Sequence, residues 1–538
     1  MMVFAQALEL VFQPHVLAVI LGSACFGMFV GAIPGLSATM ATALLVPVTF
    51  FMDPVPAIAS IVTATAMAIF AGDIPGALLR MPGTPASAAY VEESYRLTQM
   101  GRAQDGLGAG LFFSALGGIV GTIVLVTASP ALAEIALKFS SYEYFWLVVL
   151  GLSCAIFISP GSVPKGLISL VIGLFAATIG IDNPAGQPRY TFGNIELLAG
   201  IQFIPAMIGL FAVSEIFRAV VNRTDRPRLE NRMSDGILVS QFRNLVRYPV
   251  QALRGSLTGT AIGALPGAGA DIAAWISYAV SKKFSRTPEK YGKGHVEGLV
   301  EAGASNNGAV SGAWIPALVF GIPGDSITAI VIGVLYIKGI NPGPMVFIND
   351  PQMIYAVFVV FFLANLIMIP LGCIAIKGAS TLLSIPNRVL MPIILIFCIV
   401  GSFAINNSIF GVLLMLIFGV LGFIMEENDI PIAPAILGLV LGPMLEQNFI
   451  TSMIKSDGNL LAFFERPIAC GLGLFTIAKT QGLPEAVREK VQKAQNLIES
   501  KGFSAYEWTE LCKVVHEEVS PSLYREIIKT PDSLFCVL

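Results

Sequence analysis

Two rare strings hold the residues of this sequence best placed to do chemistry. Residues 31–38 read Gly-Ala-Ile-Pro-Gly-Leu-Ser-Ala, and residues 263–270 read Gly-Ala-Leu-Pro-Gly-Ala-Gly-Ala. A second Pro-Gly string follows each copy. Ile74-Pro75 leads to Met81-Pro82-Gly83-Thr84-Pro85, and Ile315-Pro316 leads to Ile322-Pro323-Gly324-Asp325-Ser326. The step from Pro75 to Pro82 equals the step from Pro316 to Pro323. A Pro-Gly pair inside an apolar segment ends one half-helix and starts another, because proline lacks a donor and glycine admits left-handed backbone. The half-helix after each break begins with unpaired N–H groups at the positive end of its dipole. Two such ends that meet inside a membrane form a site for an anion with more than one carboxylate, and unwound carbonyls beside them can hold Na⁺.

The polar residues at the breaks fit that chemistry. The expected substrate-binding set is Pro34, Gly35 and Ser37 at the first break, Pro82, Gly83 and Thr84 at the second, Pro266 and Gly267 at the third, and Pro323, Gly324 and Ser326 at the fourth. The amide pair Asn306-Asn307 joins them, since amides donate to carboxylates or offer oxygens to a cation. Asp271 and Asp325 are carboxylates in apolar surroundings. Such groups are functional by default, and like charges repel an anion, so both are assigned to coupling with Na⁺ or H⁺. The alternative is that each caps the helix that follows. Asp73 and Arg80, which flank the second break, read as an ion pair or as residues near the membrane interface.

The elements that position these residues must be membrane helices. Of 538 residues, 55% are hydrophobic and 12% charged, against about 25% charged in soluble domains. A span needs about 20 apolar residues, and the sequence offers roughly a dozen such windows, among them 16–35, 55–79, 106–133, 308–335 and 353–376. Short alternating segments of the membrane β-barrel kind are absent. The fold class is therefore all-α and polytopic. The 53 glycines read mostly as close helix packing, but the Pro-Gly pairs recur at matched places, as scattered packing glycines would not.

The repeat divides the chain into a first membrane repeat, 1–217, a basic linker, 218–254, a second membrane repeat, 255–479, and a charged soluble extension, 480–538. Eight arginines in the linker face three acidic residues, which places it in the cytoplasm. Residues 1–15 carry no Lys or Arg. The two copies are thus entered from differently charged sides, which favours an inverted repeat over a parallel duplication. Window 255–281 is basic on both flanks. A re-entrant hairpin broken at Pro266-Gly267 and one kinked span both fit that pattern. The N-terminus has no basic region of the signal-peptide kind, so the first span is expected to direct insertion.

Other chemistries are excluded by pattern. No GxxxxGK[ST] string occurs, since Gly292-Lys293 is followed by Gly294, so no P-loop nucleotide site is expected. No GxSxG or HExxH is present. The seven cysteines form no CxxC pair and only three histidines occur, so no metal, cofactor or disulfide framework is expected. The basic loops read as topology signals, with no nucleic-acid partner.

Over residues 15–478 the sequence resembles the large membrane subunit, the permease, of tripartite tricarboxylate transporters. The resemblance rests on Gly31–Gly35, Asp73-Ile-Pro-Gly with Pro82-Gly83-Thr84-Pro85, Gly180-Ile-Asp182 with Pro188–Gly193, Gly209–Glu215, Leu265–Ala270, Asn306-Asn307, Gly321-Ile-Pro-Gly324 and Gly438–Pro443. It implies a bacterial inner-membrane secondary transporter that takes up citrate or another di- or tricarboxylate with a small membrane subunit and a periplasmic solute-binding protein. Uptake would be driven by an ion gradient, in line with the missing P-loop. A stand-alone ion-coupled carrier and a membrane-embedded enzyme are the alternatives, and scarce histidine speaks against the enzyme. Two departures stand out. Family members often read Ala-Pro-Glu-x-x-Asn-Asn where this chain has Glu301-Ala-Gly-Ala-Ser-Asn306-Asn307, and residues 480–538 match nothing in the family pattern.

Overall fold

The computed structural model describes residues 2–33, 36–80, 83–158, 163–181, 187–221, 237–266, 269–379 and 387–479. These residues are almost wholly helical, with no strand among them beyond one isolated bridge between Gly180 and Arg189. The first half runs α1 (Met2–Val11), α2 (Pro14–Gly31), α3 (Ala38–Thr49), α4 (Pro54–Ala71), α5 (Asp73–Leu79), α6 (Pro85–Ala88), α7 (Val91–Gln99), α8 (Ala103–Ala136), α9 (Ser141–Ile158) and α10 (Val163–Ala177). A helical stretch with a π-type turn at Gly209–Val213 follows as α11 (Phe203–Ile208) and α12 (Ser214–Val221). The second half opens with α13 (Ile237–Arg247), α14 (Pro249–Gly263), α15 (Gly269–Phe284), α16 (Val296–Phe320), α17 (Ser326–Ile337), α18 (Val346–Asn349) and α19 (Pro351–Lys377). Helices Asn387–Asn406, Ile409–Glu427, Ile432–Lys455 and Pro467–Lys479 complete the described chain.

Among the described residues seven helical segments are long and apolar enough to cross a membrane. Four shorter apolar helices, including Ala38–Thr49 and Ser326–Ile337, accompany them. The expected dozen windows thus resolve partly into arms too short to span. Two of these short arms, Ala38–Thr49 and Ser326–Ile337, start directly after a Pro-Gly string. The extension 480–538 and linker residues 222–236 lie outside the described residues.

Glycine decides which helices approach closely. A Cβ at Gly27 or Gly31 of α2 would fall 2.2 and 2.3 Å from the carbonyl oxygens of Ala64 and Ala68 of α4. In the second half, a Cβ at Gly259 or Gly263 of α14 would fall 2.3 and 2.1 Å from the carbonyl oxygens of Ser305 and Ala309 of α16. The two halves place their four-residue glycine spacing at the same offset from the motif strings. Small residues let backbones touch where lipid offers no hydrophobic drive.

The register of these contacts fixes chain direction. Contacts advance together along α14 and α16, so the two run parallel, and α15 between them returns to the side from which α14 came. The same holds for α2, α3 and α4. Helices α14 and α15, on either side of Pro266-Gly267, therefore run in opposite directions, a course that favours the hairpin over the kinked span. Gly117 and Gly121 of α8 approach Ala304 and Gly308 of α16 in step, so α8 also runs parallel to α16. Against α4 the order reverses: Asp73, just beyond α4, meets Gly110 of α8, while Asn307 bridges the earlier Ala66 to the later Ser114. The pair α2/α4 thus runs opposite to α14/α16.

Candidate functional site

The second break of each half is built the same way. Helix α5 ends at Arg80 in left-handed conformation (φ 59°), and α16 ends at Gly321, also left-handed (φ 68°). After the break, Thr84 caps α6: its hydroxyl accepts from the Ser87 amide at 3.1 Å, and the Ser87 hydroxyl accepts from the Thr84 amide at 3.2 Å. Asp325 caps α17 in the same reciprocal way. Its Oδ1 accepts from the Thr328 amide at 2.8 Å and from the Thr328 hydroxyl at 2.7 Å, while the Thr328 Oγ1 accepts from the Asp325 amide at 2.9 Å. A capping box of this kind pairs two otherwise orphaned donors. Each break also folds back on the helix before it. A Cβ at Gly83 would lie 2.7 Å from Gly72 Cα, and one at Gly324 2.8 Å from Ala313 Cα.

The breaks of one half converge. Gly83 approaches the carbonyl oxygen of Gly31, where a Cβ would stand at 3.1 Å. Gly269 is left-handed (φ 60°), and a Cβ there would meet Asp325 Cβ at 2.8 Å. Pro266 and Ile322 both line the space beside Gly151. The halves also exchange contacts. Helix α15, which follows the third break, packs on α6, and the Trp275 indole donates to the Pro85 carbonyl at 3.2 Å. Helix α3, which follows the first break, packs on α17. Of the expected set, Ser37, Gly83, Thr84, Pro266, Pro323, Gly324, Ser326 and Asp325 stand at these junctions. Ser37 caps α3 by accepting from the Met40 amide at 3.1 Å. Pro34, Gly35, Pro82 and Gly267, together with the Asp271 side chain, lie outside the described residues.

Asn306 and Asn307 sit away from the loops, in a buried polar seam between the halves. Asn306 Nδ2 donates to the Tyr90 hydroxyl at 3.1 Å, and that hydroxyl donates to Asp73 Oδ1 at 2.7 Å. Asn307 Nδ2 donates to Ser114 Oγ at 2.8 Å and to the Ala66 carbonyl at 3.3 Å. Asp73 is buried and makes no ion pair among the described residues, so the interfacial reading of this residue is corrected: α7 and α8 pack on its helix, with Tyr90 and Gly110 against its carboxylate. Arg80 does pair, with Glu92 at 2.8 Å on the exposed side.

A second polar cluster ties α7 to the second half. The buried Glu93 carboxylate accepts from the amides of Gly292, Gly294 and His295 at 2.5, 2.7 and 2.6 Å, and from the Tyr278 hydroxyl at 2.7 Å. Four donors satisfy one buried charge. Glu301, the glutamate that departs from the family spacing, forms a two-pronged pair with Arg254, at 2.6 Å on both prongs. Sequence reasoning missed Tyr90, Glu93 and Ser114. Each has at least one partner in the other half of the chain, Asn306 for Tyr90, the 292–295 loop for Glu93 and Asn307 for Ser114, and no local spacing marks them.

Comparison with known proteins bears on this arrangement. The chain is 36% identical over 446 residues to an Agrobacterium vitis protein described as an uncharacterised 52.8 kDa protein in the TAR-I ttuC′ 3′ region, covering 83% of this chain and 88% of the relative. It is 35% identical over 233 residues to a second uncharacterised Agrobacterium vitis protein, from the TAR-II ttuC′ 3′ region, covering 43% of this chain and 96% of that relative. No solved structure matches. Residues 17–437 match the family described as "Tripartite tricarboxylate transporter TctA family", and the chain belongs to that transporter family.

Proposed function

We propose that the protein is the large permease subunit of a tripartite transporter that draws a di- or tricarboxylate, citrate among them, into the cell across the bacterial inner membrane. The exchange of contacts between halves carries this reading: α15 packs on α6 and α3 packs on α17, so helices that begin at the breaks of one repeat rest on those of the other. The helix starts supply amide donors and positive dipole ends suited to carboxylates. The opposed courses of α2/α4 and α14/α16 support an inverted repeat, the architecture in which such sites lie at the repeat interface. The basic linker then faces the cytoplasm. Asp325 serves the site as the cap of α17, and Asp271, near the start of α15, stays a residue proposed for ion coupling. A small membrane subunit and a periplasmic solute-binding protein are the proposed partners.

Uptake of labelled citrate and other di- and tricarboxylates into vesicles tests this, with the binding protein present or withheld under an imposed ion gradient. Gradient-driven uptake that requires the binding protein is expected. Equal uptake without it favours the stand-alone carrier, and no uptake of any carboxylate refutes the assignment.

A further inference from the structure

The seam between the halves holds a carboxylate that the substrate region does not use. Asp73 is 4% exposed, Tyr90 2% and Asn306 0%. Within this group two oxygens have no partner, Asp73 Oδ2 and Asn306 Oδ1. Both are acceptors, and both are tied to one hydroxyl: Tyr90 donates to Asp73 Oδ1 at 2.7 Å and receives from Asn306 Nδ2 at 3.1 Å. Buried acceptors without donors are costly, and a buried carboxylate with one hydrogen bond is costlier. No basic side chain is among the hydrogen-bond or ion-pair partners of Asp73. Gly110 of α8 closes the other side, where a Cβ would sit 2.6 Å from Oδ2. The other buried carboxylates on α7 and α16 are already engaged, Glu93 by the 292–295 loop, Glu297 by Gln251, Ser285 and His295, and Glu301 by Arg254.

We infer that Asp73, with Tyr90 and Asn306, binds a single monovalent cation, Na⁺ or a proton, as the coupling ion of the transport reaction. One negative charge and neutral oxygens suit a single positive charge. Among the described residues no group of three or more His, Cys, Asp or Glu side chains gathers, as a transition-metal site would need. The position makes the coupling physical. Asp73 and Tyr90 belong to the first half and Asn306 to the second, so occupancy stabilises the contact between the halves that transport must rearrange. A cation bound in one arrangement and released in the other shifts the balance between them.

This inference rests on the transport reading for its role, but its binding test does not. Full-length purified protein is unfolded thermally in NaCl against choline chloride at fixed pH, and across a pH series without Na⁺. A ligand that binds only the folded state raises the melting temperature, here by about 2 °C or more at saturation. A rise with Na⁺ identifies sodium, and a rise on acidification that Asp73→Asn lacks identifies a proton. In either case Asp73→Asn abolishes the rise, and Tyr90→Phe, which keeps the carboxylate, weakens cation binding about tenfold. Wild-type protein indifferent to both ions, or Asp73→Asn and Tyr90→Phe with the full wild-type response, would overturn the site. Absence of carboxylate uptake by the wild type beside an intact, Asp73-dependent shift would instead refute the transport reading and leave the cation site standing.

Discussion

At the scale of single residues, Thr84 and Asp325 do the same work in different chemistry. Each accepts from the amide three positions on and starts a helix directly after a break. Removing an N-cap costs about 1 kcal/mol, while one capping residue replaces another at little cost. Asp325→Ala should therefore lower stability by about 1 kcal/mol and Asp325→Asn by only a few tenths, as measured by unfolding in detergent. Equal losses in both variants would show that charge, and not capping, is what the position supplies. The Asp325 cap was legible as one of two readings, while Thr84 was read as a substrate contact although a Thr after Pro-Gly with Ser three positions later is a local pattern. Tyr90 was not legible. Its value lies in Asp73 and Asn306, which reach it from different parts of the chain. Glu301 shows the reverse case: it misses the family spacing, yet it anchors Arg254.

At the scale of elements, glycine spacing makes the hairpins possible. Gly27 and Gly22 lie on the same helix but differ in surroundings. A Cβ at Gly27 would strike Ala64 backbone at 2.2 Å, while one at Gly22 meets nothing within 4 Å. Gly22→Ala should leave folding intact. Gly27→Val should cost at least about 1–3 kcal/mol, because backbone cannot yield as a side-chain tip can. Folded yield and melting temperature of the two variants check this contrast, and similar behaviour would refute the packing described for α2 and α4. The positions of the breaks were readable from Pro and Gly alone. The direction of the chain after each break was not, because basic flanks on both sides fit a hairpin and a kinked span alike. Register between α14 and α16 favours the hairpin.

At the scale of the whole molecule, two halves with the same break chemistry lean on one another. The α7 anchor at Glu93 grips the 292–295 loop, and the Asp73–Tyr90–Asn306 seam joins the same halves within the helices. Glu93→Gln leaves the shape but replaces an acceptor-only group with one that must also place two donors against backbone amides. That variant should lose roughly 1–3 kcal/mol of stability, read as a lower melting temperature at unchanged membrane insertion. An unchanged melting temperature would show that the anchor is dispensable. The class of fold was plain from composition, and the matched breaks were plain from the repeated strings. The seam was hidden, since neither half contains it alone.

The central claim is that the breaks of both halves serve one carboxylate. The most direct measurement is binding-protein-dependent uptake in vesicles that carry Gly35→Val or Gly267→Val, with the amount of inserted protein measured alongside. Both variants should insert as the wild type does and lose nearly all uptake, although their substitutions lie in different halves of the chain. Normal uptake by either one would contradict a shared site.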